Sequence, residues 1–295
     1  MLYSIISLVQ CPLCASRLER RGSTLACKAG HSFDFARHGY VNLLPGSAQT
    51  STADTAEMVA SRARAFAAGC YRPLLEVVAE EVAAAIASST SGLPAAGPLA
   101  PHSMPPAIID VGAGTGEYLA AALDRSPSAI GLALDLSKHA MRRAARAHPR
   151  MGAAVCDAWR ALPVRDGAAD VLLNVFAPRN ASEYARVLAP DGVLIVVTPL
   201  QEHLAELVGP LGMIAVDEHK DERLEATLGG HFEREVSCEV RTPLELTRDL
   251  TRDLVLMGPS AHHVSPADLE TRIEALDSVH ATLAVTVSTW RLRSL

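Results

Sequence analysis

The spacing of apolar positions changes along the chain, and the changes mark out its pieces. Residues 1–45 show no helical period. Apolar residues there fall singly between Cys, Gly, Arg and aromatics, a pattern that predicts short strands and tight turns. The apolar start, Leu2 to Val9, has no basic flank and runs straight into Cys11; a short strand is expected there, not a signal peptide. Over 53–87 the period becomes helical. A first helix is expected to open at Asp54, with Glu57 three positions on as in a capping box, and to end near Gly69. A second begins at Tyr71, with Leu74, Leu75, Val78 and Val82 on one face. Residues 88–106 carry Pro94, Pro98, Pro101, Pro105 and Pro106 among Ser, Gly and Ala, which predicts a flexible linker.

From Ala107 buried runs alternate with amphipathic stretches. Strands are expected at 108–111, 130–134, 153–155, 170–175 and 193–198, and helices at 116–123, from Ser137, and at 182–188. Such βαβ alternation predicts an α/β domain, a doubly wound and mostly parallel sheet with helices on both faces. Residues 283–292 alternate largely with period two and are expected to close the sheet edge.

Composition changes this picture little. Of 295 residues, 49% are apolar, enough for a sizeable core, and no run is long enough to span a bilayer. Six cysteines, three of them at metal spacing, do not make a disulfide framework; a reducing cytoplasm is expected, with Cys70, Cys156 and Cys238 as buried apolar groups. Charge is more informative. The chain carries −6 overall, yet residues 1–75 hold 8 Lys/Arg against 4 Asp/Glu. A basic end on an acidic protein is read either as a surface for a nucleic-acid partner or as a mildly basic surface with no partner, and charge alone does not separate the two.

The candidate chemistry lies in two motifs. Cys11, Cys14, Cys27 and His31 form a C-x2-C-x12-C-x3-H array. Two such pairs on separate turns supply four protein ligands to a tetrahedral zinc, which predicts a structural site with no open position. His38 is a second candidate for the fourth ligand. Gly112, Gly114 and Gly116 follow a strand and open a helix. The G-x-G-x-G spacing, without the Lys of a phosphate-binding loop, suits a cofactor with no phosphate, namely S-adenosylmethionine. Asp135 at the end of the second strand is then expected to accept both ribose hydroxyls, and Asp157 after the third to accept the adenine amine. Asp110, below the loop, is expected to hold it or to meet the methionine amino group.

These motifs, with Cys11-Pro-Leu-Cys14, Gly30-His-Ser-Phe-Asp34, Gly39-Tyr-Val-Asn-Leu-Leu-Pro45, Asp54 to Met58, Leu134-Asp-Leu-Ser-Lys138 and Asn174-Val-Phe-Ala-Pro-Arg-Asn180, resemble the large-subunit rRNA guanine-N1 methyltransferases. Ala144-Ala-Arg-Ala-His-Pro149 and Met257-Gly-Pro-Ser260 resemble its tylosin-resistance subgroup. The resemblance implies a class I (Rossmann-like) methyltransferase domain preceded by a zinc module. It implies methylation of N1 of a guanine in the hairpin 35 loop of 23S rRNA, position 748 favoured over 745, macrolide resistance, and a homodimer. The expected layout is a zinc-binding RNA-recognition module (1–45), a helical connector (46–87), the linker (88–106) and the methyltransferase domain (107–295). Asn174, Phe176, Pro178 and Arg179 are expected to position the flipped base, and Arg17, Arg20, Arg21 and Lys28 to track phosphates. His203 and His219 are candidate bases by position. Two other readings remain open on the residues: a small-molecule methyltransferase with a zinc lid, and a non-catalytic zinc-containing RNA adaptor.

Overall fold

The fold is given by a computed structural model that describes residues 3–46, 48, 50–91, 104–276 and 279–293. The N-terminal part holds a short helix α1 (Tyr3–Ile6), a three-stranded antiparallel ribbon of β1 (Glu19–Arg21), β2 (Thr24–Ala26) and β3 (Ser32–Asp34), and the two-residue strand β4 (Val41–Asn42). Two helices follow, α2 (Ala56–Ala67) and α3 (Arg72–Ser91). Then come β5 (Ala107–Val111), α4 (Glu117–Arg125), β6 (Ile130–Asp135), α5 (Lys138–Ala147), β7 (Met151–Val155), β8 (Ala169–Val175), α6 (Ala181–Val187) and β9 (Leu188–Pro199). The chain ends through α7 (Ala205–Leu211), α8 (Lys220–Leu228), β10 (Phe232–Leu246), α9 (Arg248–Leu256), α10 (Pro266–Glu274) and β11 (Val279–Leu292).

The main sheet has the order β10-β11-β9-β8-β5-β6-β7-β4. Strands β4, β7, β6, β5, β8 and β9 run parallel, while β11 is antiparallel to both β9 and β10. The winding reverses at β5, which pairs with β6 on one side and β8 on the other. A crevice opens at such a switch point beyond the carboxyl ends of the strands, and the candidate site lies there.

Several local expectations change. The start is helical (α1), not a strand. The cap of α2 is Thr55, whose hydroxyl accepts from the Met58 N–H, while Asp54 turns away to pair with Arg62 at 2.5 Å. Helix α3 runs to Ser91, past the boundary expected at 87, and most of the expected linker (92–103) lies outside the described residues. The sheet edge is β10, not β11. Strand β10 was not legible because it is mostly exposed, carries charges along its length and includes Pro243; these features belong to edge strands and hide the apolar alternation.

Two apolar cores cover the two faces of the sheet. One joins α2, α3 and α4 to the sheet through Leu74, Val78, Leu119 and Leu123. The other joins Ile5, Val9, Leu18 and Leu25 of the N-terminal part to Ile109, Val111, Leu132 and Leu134. The N-terminal part is therefore stitched to the sheet by shared core, by β4 alongside β7, and by a bridge from Val9 to Val164.

Candidate active site and metal centre

Cys11 and Cys14 lie on one turn, Cys27 and His31 on the turn between β2 and β3, and the structure brings the four ligand atoms within 4.8 Å of one another. Cys14 and Cys27 Sγ are 3.7 Å apart; His31 Nδ1 is 3.4 Å from Cys11 Sγ and 3.5 Å from Cys27 Sγ. Tetrahedral zinc at ordinary bond lengths demands about 3.8 Å between sulfurs and about 3.5 Å between sulfur and nitrogen. The donor set and spacing fit that ion, with no position left open for substrate. His38 does not join it; its ring meets Arg37 and Arg146 instead. Arg17, Arg20, Arg21 and Lys28 are all exposed, Arg20 lying over the Phe35 ring at 5.3 Å.

The crevice at the switch point has two parts. The outer part, about 460 Å³, is lined by Asp54, Arg62, Gly112, Asp135, Asp157, Trp159 and Phe176 among others. The inner part is bounded by Asp110, Gly112 to Gly114, Phe66, Tyr71, Tyr118, Phe176 and Met257. Gly112 has φ +79°, and a Cβ there would lie 2.3 Å from Ala177 Cβ, so no side chain fits between loop and crevice wall. At Gly114 a Cβ would meet the Arg62 guanidinium, which bridges Asp54 and the Met257 carbonyl. Arg62 thus ties α2 to the end of α9 and packs against the loop at Gly114.

Asp110 is buried, and neither of its carboxylate oxygens has a hydrogen-bond partner. Burial, then the nearby Asp135 and Glu117, push its pKa up to about 8. The Tyr118 hydroxyl beside it is likewise buried and unpartnered. Phe66 stands 5.1 Å from Tyr71 and 5.5 Å from Tyr118 between ring centroids, so the inner pocket is an orphan carboxylate walled by aromatic rings. Such a pocket suits a cation bearing both an ammonium and an apolar onium centre, and the methionine end of S-adenosylmethionine is one.

The other expected residues fall on both sides of the crevice wall. Asp135 lines it, with one oxygen accepting from the Gly114 N–H and the other from the Ser137 N–H, so it fixes the loop and the start of α5 as well. Asp157 lines the mouth and accepts from the Trp159 N–H. Phe176 and Pro178 line it too. Phe176 is 42% exposed at φ +54°, a costly backbone for a bulky residue, and stacks on His203 at 5.7 Å. Asn174 and Arg179 do not line the crevice. Asn174 is fully buried, its amide donating to the Pro178 carbonyl and the Tyr184 hydroxyl, so it holds the 175–178 turn and touches no base. Arg179 is half-buried, its Nε without a partner. His203 is no ready base: burial and Lys220 lower its pKa to about 4, and its Nδ1 accepts from the Ala284 N–H. His219 is exposed between Glu218 and Glu222.

Sequence reasoning missed Arg62, the aromatic wall and Trp159. Asp54 and Met257 each begin a run that carries the family resemblance, but only the tertiary contact through Arg62 joins them.

Comparison with known proteins agrees with this geometry. Residues 9–52 match the zinc-ribbon family described as RlmA, N-terminal, and residues 108–192 match a methyltransferase domain. The chain is 50% identical over 96% of its length to a protein from Micromonospora griseorubida assigned as a 23S rRNA (guanine-N1)-methyltransferase, covering 97% of that relative. It belongs to the 23S rRNA (guanine-N1)-methyltransferase family. Within that family it is 45% identical to the 23S rRNA (guanine(748)-N1)-methyltransferase of Streptomyces fradiae, with 98% of both chains covered. A Bacillus subtilis relative assigned to the same activity is 37% identical over 68% of this chain. As in the family, the methyl donor is S-adenosylmethionine and the N-terminal ribbon is a zinc module.

Proposed function

We propose that this chain transfers the methyl group of S-adenosylmethionine to N1 of guanine 748 in the hairpin 35 loop of 23S rRNA, and thereby gives tylosin-type macrolide resistance. The observation that carries the proposal is end-to-end similarity to the guanine-748 enzyme of S. fradiae, combined with a crevice that fits the cofactor. The small-molecule and adaptor readings are disfavoured by that similarity and by the intact carboxylates of the crevice.

In this reading Asp110 receives the cofactor ammonium, which supplies the partner its buried oxygens lack. Gly112 to Gly116 admit the backbone to close approach, Asp135 accepts from the ribose hydroxyls, and Asp157 with Trp159 flanks the adenine. Bound in this way, the cofactor supplies an already activated methyl group, so no strong acid is needed. The protein's remaining task is to hold guanine N1 at near-attack distance and in line. Phe176 offers its face to the base swung out of the loop, and Pro178 borders it. The strained Phe176 backbone is held by the turn that Asn174 and Tyr184 anchor at the Pro178 carbonyl. The N1 proton passes to solvent water before or during transfer. The zinc ribbon presents Arg17, Arg20, Arg21 and Lys28 to RNA phosphates. No described helix is long and apolar enough to cross a membrane. We read the enzyme as cytoplasmic, as its cysteine usage predicts, and as a homodimer, as the family resemblance implies.

The test is methyl transfer from labelled S-adenosylmethionine to unmodified bacterial 23S rRNA, with the modified base mapped by primer extension. A stop at guanine 748 is expected. Transfer only to metabolites, or none with cofactor bound, overturns the proposal.

A further inference from the structure

The turn between β3 and β4 rests on α5: a Cβ on Gly39 would lie 3.8 Å from Ala145 Cβ. This contact brings two sets of basic residues together. Helix α5 reads KHAMRRAARA, with no acidic residue, and Lys138, Arg142 and Arg146 recur every fourth position and are exposed. Four-residue spacing puts them on one face, a stripe about 12 Å long at 1.5 Å per residue. Exposed Arg37 and half-buried His38 on the turn meet its far end.

The contacts there are short of an acceptor. Arg37 Nε points at His38 Nε2 at 3.1 Å, and Arg146 Nη2 points at His38 Nδ1 at 2.7 Å. Guanidinium groups only donate, and a neutral imidazole accepts at one nitrogen alone. One of the two arginines therefore faces an N–H. Burial first, then the charges of Arg142, Arg146 and Arg37, lower the His38 pKa and so disfavour its charged form. Among the described residues no carboxylate is paired with Arg37, Arg142 or Arg146. An exposed cluster with surplus donors, surplus positive charge and no acid is completed by an anion. The near end of the stripe, Lys138, follows Ser137, whose N–H is bonded to Asp135 in the cofactor crevice. The stripe thus runs from the mouth of the crevice to the zinc ribbon.

We propose that Lys138, Arg142, Arg146 and Arg37 form a second phosphate-binding surface, separate from Arg17, Arg20 and Arg21, that grips the RNA backbone flanking the target guanine. The identity of the partner rests on the rRNA reading above. The surface joins the ribbon to the catalytic domain, so RNA laid along it is held in register with the crevice.

The test uses the full chain with zinc bound. A fluorescent hairpin 35 transcript is titrated with the wild type, the R142Q/R146Q double variant and R125Q, a control at an exposed arginine of α4. Affinity is measured over a range of salt, alongside S-adenosylmethionine affinity, melting temperature and methyl-transfer kinetics. In R142Q/R146Q the slope of log affinity against log salt is expected to flatten by about two, about one per lost phosphate contact. The KM for RNA should rise several-fold, with kcat and cofactor affinity unchanged, and R142K/R146K should restore most of the slope. A double variant whose slope and KM match those of R125Q overturns the proposal, even if wild-type methylation is intact. Expected slopes without methyl transfer by the wild type would leave this surface standing and remove the substrate assignment. A wild type that does not bind the transcript removes both.

Discussion

Asp110 is a carboxylate kept where its charge is least tolerated. Its pKa is raised to about 8, so the folded chain binds its proton more tightly than the unfolded chain does. Its contribution to stability is full below the ordinary carboxylate range and is lost as pH rises toward 8. An ammonium ligand reverses the preference, so cofactor affinity should climb over the same window. D110N should therefore melt higher than the wild type at pH 7.5 without cofactor, by about 2–4 °C per kcal/mol gained, while losing S-adenosylmethionine binding. Melting curves and calorimetry at several pH values check both, and a variant that melts lower would end this account. G112A places a methyl group against Ala177 at positive φ and should lose cofactor affinity, with about 1–3 kcal/mol of stability, measurable by denaturant titration. Stacking a base on an aromatic ring is worth about 1–3 kcal/mol. F176A should accordingly lower kcat/KM for RNA about 10- to 100-fold with a smaller change in cofactor affinity, and F176Y should retain activity. Equal losses for both substrates in F176A would assign Phe176 to the cofactor alone.

At the scale of elements, the zinc ribbon is a small three-stranded piece that shares its apolar residues with the sheet. A segment of that size does not bury enough surface to fold unaided, so the metal contributes directly to its folding. Because Ile5, Val9, Leu18 and Leu25 lie in one core with β5 and β6, chelation should lower the melting temperature of the whole chain in a single transition. A separate low-temperature transition, with the sheet melting unchanged, would mean the ribbon is an independent bead. The elements best foreseen were the buried parallel strands and α5, whose Ser137 cap accepts from the Ala140 N–H as its position implied. The misplaced ones were those whose local signal competes with a tertiary partner. Asp54 carries the better cap chemistry on paper, but Arg62, eight residues on, takes it, and Thr55 caps instead.

Over the whole molecule, a chain of net charge −6 can meet RNA only where its basic residues are gathered, and the proposed interface places them on the ribbon. Replacing Arg20 and Arg21 by Gln should weaken RNA binding and flatten its salt dependence while sparing cofactor affinity; unchanged RNA affinity would remove the ribbon from the RNA interface. The features legible in the chain alone are those whose code is local: cysteine and histidine spacing, the glycine loop between strand and helix, and the βαβ alternation that dictates a parallel sheet. These follow from ligand geometry, backbone freedom and apolar period, all readable within a short window. Long-range packing set the rest: which carboxylate is left without a partner, that Asn174 supports a turn while Phe176 faces the crevice, and that Arg62 packs against the loop. It also decided that the β3–β4 turn lies on α5. Those outcomes depend on contacts between residues far apart in the chain, where burial and the available partners set each side chain's role.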